Sequence, residues 1–198
     1  MTAPEDSKLK RREVLAGILA ARGDALAVSS LGTSTYDLFA VSPAPENAYL
    51  WNAMGLTASV GLGLAIAQPD RRILVIAGDG DVMMGIGSLS VIAAQAPENL
   101  SILVIDNEGF EETGGQAGLS AFRADIAEIA RGSGFRETMV ARDEKDAARL
   151  ADFLWRRTGP VLAVAKVGAS SDGPVYPCMD GPELVRIFRA AVLGDASP

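Results

Sequence analysis

The 198-residue sequence predicts an α/β fold, an open and mostly parallel sheet with helices on both faces. Three observations carry this. Four short runs are apolar without alternation, as strands buried on both faces must be. The segments between them place apolar residues at helical spacing. Glycine and polar residues collect just after three of the runs, beyond the carboxyl ends of the strands, where open parallel sheets hold their ligands.

Leu15, Ile18 and Leu19 mark a helix ahead of the first strand, Ala25 to Ser29, which closes into the loop Ser30 to Ser34. Met54 to Ala67 is apolar with three glycines and 14 residues long, short of the ~20 a membrane span requires, so it predicts a buried helix. Ile73 to Ala77 is the second strand; it runs into Gly78 to Asp81, with a helical pattern from about Val82. Leu100 to Asp106 is the third and leads into Asn107 to Gln116. Leu150, Phe153 and Leu154 mark a helix before the fourth, Val161 to Val167. A single core serves up to roughly 250 residues, so one domain is expected over residues 1–198, frayed at about 1–7 and 194–198.

Composition narrows the function. A formal charge of −7, with no basic block longer than Lys8 to Arg12, argues against a nucleic-acid or anionic-membrane surface. The apolar run Val14 to Ala21 is bracketed by Glu13 and Arg22 without a cleavage context, unlike a secretory leader. A lone Cys178 fits a reducing cytoplasm and leaves no four-cysteine iron–sulfur site in this chain. Histidine is absent, which removes the usual general base and zinc ligand and every Ser-His-Asp arrangement. The hard chemistry is expected from a bound cofactor.

Gly78 and Gly80 flank Asp79, so the backbone there can turn sharply and approach a ligand. Amides at the following helix start favour phosphate oxygens, but the acid would repel a bare diphosphate. Mg²⁺ resolves the conflict by taking carboxylate and phosphate oxygens in one shell. Asn107, closing the next strand, can add an amide oxygen, and the turn at Gly109 a main-chain carbonyl. The expected metal ligands are therefore Asp79, Asn107 and Gly109.

Gly78-Asp79-Gly80 followed by Asn107 resembles the signature of the thiamine diphosphate enzymes, and Asp79, Asn107 and the Gly109 carbonyl match its metal positions. Trp51-Asn52-Ala53-Met54-Gly55-Leu56 is similar to the family segment that grips the cofactor rings. The resemblance makes Met54 the wedge that bends the cofactor and the Asn52 carbonyl the acceptor for its 4′-amino group. Gly32, Thr33 and Ser34 resemble a second diphosphate contact, although Thr33 and Ser34 also read as a plain helix N-cap. Gly78, Gly80, Asp81 and Phe110 complete the expected cofactor site, Phe110 packing against the cofactor or the core.

The likeness runs from about Arg11 to Val167 and is strongest to the sulfopyruvate decarboxylase β subunit and the matching domain of phosphonopyruvate decarboxylase. It implies the thiamine diphosphate-binding fold and a 2-oxo acid decarboxylase. Asn52 stands where the family usually has glycine, Asp81 where a small residue is common, and Ala117 to Ser120 lack the expected histidine and threonine. No catalytic residue is assigned to this chain: the resemblance places the activating glutamate on a partner subunit with a pyrimidine-binding domain, in a heterodimer or its doubled form. Glu108, Glu111 and Glu112 are expected as solvated or substrate-loop charge, and Gly114-Gly115 as a mobile loop over the substrate. The other readings are an acyloin-forming carboligase or lyase subunit of the acetohydroxyacid synthase type, a non-catalytic partner subunit, and a flavodoxin-type phosphate module.

Overall fold

A computed structural model describes residues 8–52, 54–169 and 172–194. The expected fraying of residues 1–7 and of most of 194–198 lies outside the described residues; Gly194 caps the last helix. The sheet is formed by β1 (Leu26–Ser29), β2 (Asn47–Tyr49), β3 (Ile73–Gly78), β4 (Leu100–Asp106), β7 (Glu137–Ala141) and β8 (Val161–Lys166). They run in the order β2-β1-β3-β4-β8-β7, every pair parallel. A separate antiparallel pair joins β5 (Gly109–Phe110) to β6 (Gln116–Ala117).

The four apolar runs form the centre of this sheet, and alternation sorts their side chains. Val75, Ala77, Ile102, Val104 and Val164 enter one core; Leu74, Ile76, Leu103, Ile105 and Ala163 enter the other. Helices α3 (Thr57–Ala67), α5 (Ser88–Gln95) and α6 (Ile126–Ser133) cover the first face, and α1 (Arg11–Leu19), α2 (Thr33–Val41) and α7 (Glu144–Arg156) the second. Three of the described helices start at side-chain caps: Asp125 accepts from the Glu128 amide at 3.0 Å, Asp143 from the Asp146 amide at 2.9 Å and Asp180 from the Glu183 amide at 3.2 Å. A last helix, α8 (Gly181–Leu193), lies beside β2 and adds Phe188 and Val192 to the first core.

Three expectations change. The apolar stretch Met54 to Ala67 becomes a helix only from Thr57, because Gly55 takes φ +82° in a turn, and Ile66 is exposed on the finished helix. The helical pattern from Val82 begins earlier, as α4 (Asp79–Met84), and breaks at Gly85 before α5 resumes. The edge strands β2 and β7, unforeseen in the sequence, are short and mostly half-buried, so they carry no continuous apolar run.

Candidate functional site

The chain leaves β1 for α2 on one face and β3 for α4 toward the other, so a crevice opens between their carboxyl ends. A cavity of about 120 Å³ lies there, and it is lined by Gly32, Thr33, Ser34, Met54, Gly78, Asp79, Gly80, Asp81, Asn107, Gly109 and Phe110. Every sequence-predicted cofactor residue except Asn52 reaches it; Asn52 is exposed on the preceding turn. Gly78 pairs with Ile105 across β3 and β4, which brings Asp79 level with Asp106 and one residue short of Asn107.

Local packing fixes each wall. Gly32 holds φ +70° at the N-cap of α2, a conformation glycine adopts without penalty. Thr33 and Ser34 open that helix without a side-chain cap, so the plain N-cap reading fails. Thr35 does the bracing instead: its hydroxyl bonds the Ser30 carbonyl and lies 2.7 Å from the Ser29 hydroxyl. The Met54 turn is held from two sides. The Gly55 amide donates to Asp81 Oδ1 at 2.6 Å, and a Cβ on Gly85 would stand 1.8 Å from the Gly55 carbonyl oxygen. Asp81 is therefore tied to the turn that carries Met54. The Phe110 ring lies over Gly80, where an added Cβ would meet it at 2.4 Å.

Asp79 is 2% exposed and has no cationic partner among the described residues. Burial pushes its carboxyl up to about 6, with the neighbouring Asp106 charge adding to the rise and the Ser120 hydroxyl opposing it. Ser120 stands between the two acids, 2.7 Å from Asp79 Oδ2 and 2.9 Å from Asp106 Oδ1. One hydroxyl proton serves only one of them, so the hydrogen-bonded chain is complete when Asp79 itself is protonated and donates to Ser120. Asp106, by contrast, has Lys166 Nζ 2.7 Å from its Oδ2.

A buried carboxylate without a counter-charge, beside the neutral oxygens of Asn107 and Gly109, fits a hard divalent cation, which would relieve the penalty on Asp79. The Asn107 side-chain oxygen accepts from the Gly109 amide at 3.1 Å, which fixes its direction and leaves a second lone pair. The third contributor to this wall, Gly118, comes so close that a Cβ there would lie 2.8 Å from Asp79 Oδ2.

Sequence reasoning missed Ser120, Asp106 and Lys166, since contacts spanning 14, 41 and 60 positions leave no periodic mark. Of the three glutamates, Glu112 is exposed as expected, whereas Glu108 and Glu111 are half-buried and held in ion pairs. Arg11, buried in α1, binds Asp37 at 2.8 Å and Glu111 at 2.6 Å, while Glu108 meets Lys166 at 3.1 Å; only Glu112 is exposed, its side chain beside Gly32. Glu108 also takes φ +65°, uncommon for a residue with a Cβ and a further strain at this site. The Gly114-Gly115 segment is tied into the β5–β6 hairpin, with Thr113 Oγ1 donating to Gln116 Oε1 at 2.8 Å and Gln116 Nε2 returning a bond to the Thr113 carbonyl at 2.7 Å.

Residues 31–165 match the C-terminal TPP-binding domain of thiamine pyrophosphate enzymes. The sulfopyruvate decarboxylase subunit beta of Methanothermobacter thermautotrophicus is 34% identical over 187 residues, covering 94% of this chain and 97% of that protein. A phosphonopyruvate decarboxylase of Streptomyces viridochromogenes is 36% identical over 88% of this chain, which spans 45% of the relative's length. Among solved structures, the 2-oxoglutarate:ferredoxin oxidoreductase of Magnetococcus marinus superposes with a TM-score of 0.65 over 93% of this chain and 72% of its own, at 17% identity, a likeness of fold.

Proposed function

Because the chain belongs to the thiamine pyrophosphate enzymes through their C-terminal cofactor-binding domain, we propose that it is the diphosphate- and Mg²⁺-binding subunit of a two-subunit, cytoplasmic 2-oxo acid decarboxylase acting on a sulfopyruvate- or phosphonopyruvate-like acid. The observation that carries this is the cavity at the β1, β3 and β4 ends, with an uncompensated buried acid in its wall.

In this reading the Gly32 to Ser34 segment offers backbone amides and hydroxyls to the diphosphate. Asp79, Asn107 and the Gly109 carbonyl hold Mg²⁺, and Met54 supports the rings from the turn that Asp81 anchors. Thiamine diphosphate, when bound, supplies the nucleophile and the electron sink on which a 2-oxo acid loses carbon dioxide. Phe110 and the β5–β6 hairpin wall the cavity on the side of β4 and keep water from the metal-binding oxygens.

The partner supplies the activating glutamate. Support for its docking comes from Leu56 and Met84, 56% and 64% exposed, which flank the Gly55–Gly85 backbone contact next to Met54. Large apolar side chains left bare beside a cofactor cavity suit a subunit interface.

The test is calorimetry of thiamine diphosphate binding to the co-purified pair, with and without Mg²⁺. Uptake should require the metal and vanish in Asp79→Ala while the circular dichroism spectrum stays that of the parent. Tight uptake by that variant refutes the metal assignment.

A further inference from the structure

The sheet diverges a second time. From β4 the chain passes toward α6 on the first face, whereas from β8 it turns to the opposite side, where Gly168 donates to the Leu9 carbonyl at 3.0 Å and Gly173 accepts from Arg12 at 2.6 Å. Ligand crevices form at such divergences. A cavity of about 270 Å³ lies here, separated from the first by Asp106 and Ser120. It falls below the ~300–1,000 Å³ of pockets for drug-sized molecules, so its occupant is small.

Its charged lining is unevenly matched. Lys166 is paired with Asp106 and Glu108, and Glu108 also meets Lys8 at 3.6 Å. Arg123 and Arg142 line the same cavity, and among the described residues neither guanidinium makes a hydrogen bond or ion pair. The remaining acid, Asp125, spends a carboxylate oxygen on the Glu128 amide that starts α6. The lining holds three acids, Asp106, Glu108 and Asp125, and three bases, Lys166, Arg123 and Arg142, so what sets the crevice apart is two exposed guanidiniums whose donors no acid takes up. Guanidinium forks bind oxyanions through paired N–H donors.

We propose that this crevice at the β4, β8 and β7 ends is a second ligand site, one that takes a small oxyanion of the phosphate or sulfonate kind between Arg123 and Arg142 with Lys166 at its floor. It does not use the cofactor cavity, and it stands or falls apart from the decarboxylase reading.

The probe is inorganic phosphate, titrated into the full chain by calorimetry at constant ionic strength. Saturable binding should weaken at least tenfold in the Arg123→Ala/Arg142→Ala double variant and persist, within twofold, when thiamine diphosphate and Mg²⁺ are saturating. If the double variant does not fold, Arg123→Gln and Arg142→Gln singly should each weaken binding at least threefold. Phosphonopyruvate, run as a competitor, separates a free anion from one carried on an acid substrate: displacement at lower concentration than phosphate assigns the site to the acid, and equal potency assigns it to the free anion. Absence of saturable phosphate binding overturns the proposal. So does binding indifferent to the arginines, or binding displaced by thiamine diphosphate, which would place the phosphate in the first cavity.

Discussion

Replacing Asp79 with asparagine should stabilise the cofactor-free chain near neutral pH, and the gain should disappear in acid. The Asp79 carboxyl is pushed from 3.8 up to about 6, chiefly by burial. An acid whose value is raised on folding favours the folded state below its unfolded value, and that contribution is lost as pH rises through the folded value. A rise of that size corresponds to about 3 kcal/mol above pH 6, an upper bound for a carboxyl that lines an open cavity. Asparagine carries no charge to bury, and its amide N–H can donate to the Ser120 oxygen as the protonated acid does. The assay is urea or thermal unfolding of both cofactor-free proteins from pH 4 to 8, read as a difference so that the other carboxylates cancel. The two should coincide near pH 4 and separate through pH 6, with the variant ahead at pH 7.5 by up to about 3 kcal/mol, roughly 6–12 °C in midpoint for a chain of this size. Adding thiamine diphosphate and Mg²⁺ to the co-purified pair should reverse the order, since only the carboxylate form takes the metal. A flat difference curve, or a variant less stable at pH 7.5, would refute the account of Asp79 as a buried charge awaiting a cation.

Gly85→Ala should cost roughly 1–3 kcal/mol and weaken cofactor uptake, because its Cβ would stand 1.8 Å from the Gly55 carbonyl oxygen and push the Met54 turn away; unfolding and calorimetry both report it, and unchanged uptake would detach that turn from the site. Met54→Ala should lower turnover more than cofactor affinity in the paired enzyme, and an unchanged rate would count against its wedge role. Arg11→Met should destabilise the chain by about 3–5 kcal/mol in urea, since it strips one of two arginine partners from the buried Asp37 and the ion-pair partner from Glu111; a loss below about 1 kcal/mol would show that the network relaxes onto Arg12.

What the sequence disclosed follows from where information is local. Strands such as Leu100 to Asp106, buried along their whole length, must be apolar at every position, so the centre of the sheet is written in consecutive letters. β7 lies at the edge with four of five residues half-buried, and nothing in Glu137 to Ala141 demands the same uniformity. The cofactor loops were legible for a related reason, since each directly follows a legible strand. Ser120, by contrast, arrives through a short 3₁₀ turn, Leu119–Ala121, that follows no strand of the main sheet, and a serine in a polar segment carries no sign of two acids waiting for it.

On the proposed reading, those two acids also explain why the cation would belong at Asp79 rather than beside it. Asp106 closes β4 and Asp79 follows the end of the adjacent β3, both are 2% exposed, and Ser120 bridges them, so their surroundings differ in one respect that decides the matter. β8 pairs with β4 so that Asp106 faces Lys166 across the sheet, and the fold thereby supplies that acid with its own counter-charge. The partner strand on the other side of β4 is β3, which ends in glycine just before Asp79, and among the described residues no strand presents a basic residue to it. A sheet that neutralises one of a bridged pair from within leaves the other, at the mouth of a cavity, without a counter-charge, and that difference is what supports the proposed ion at Asp79.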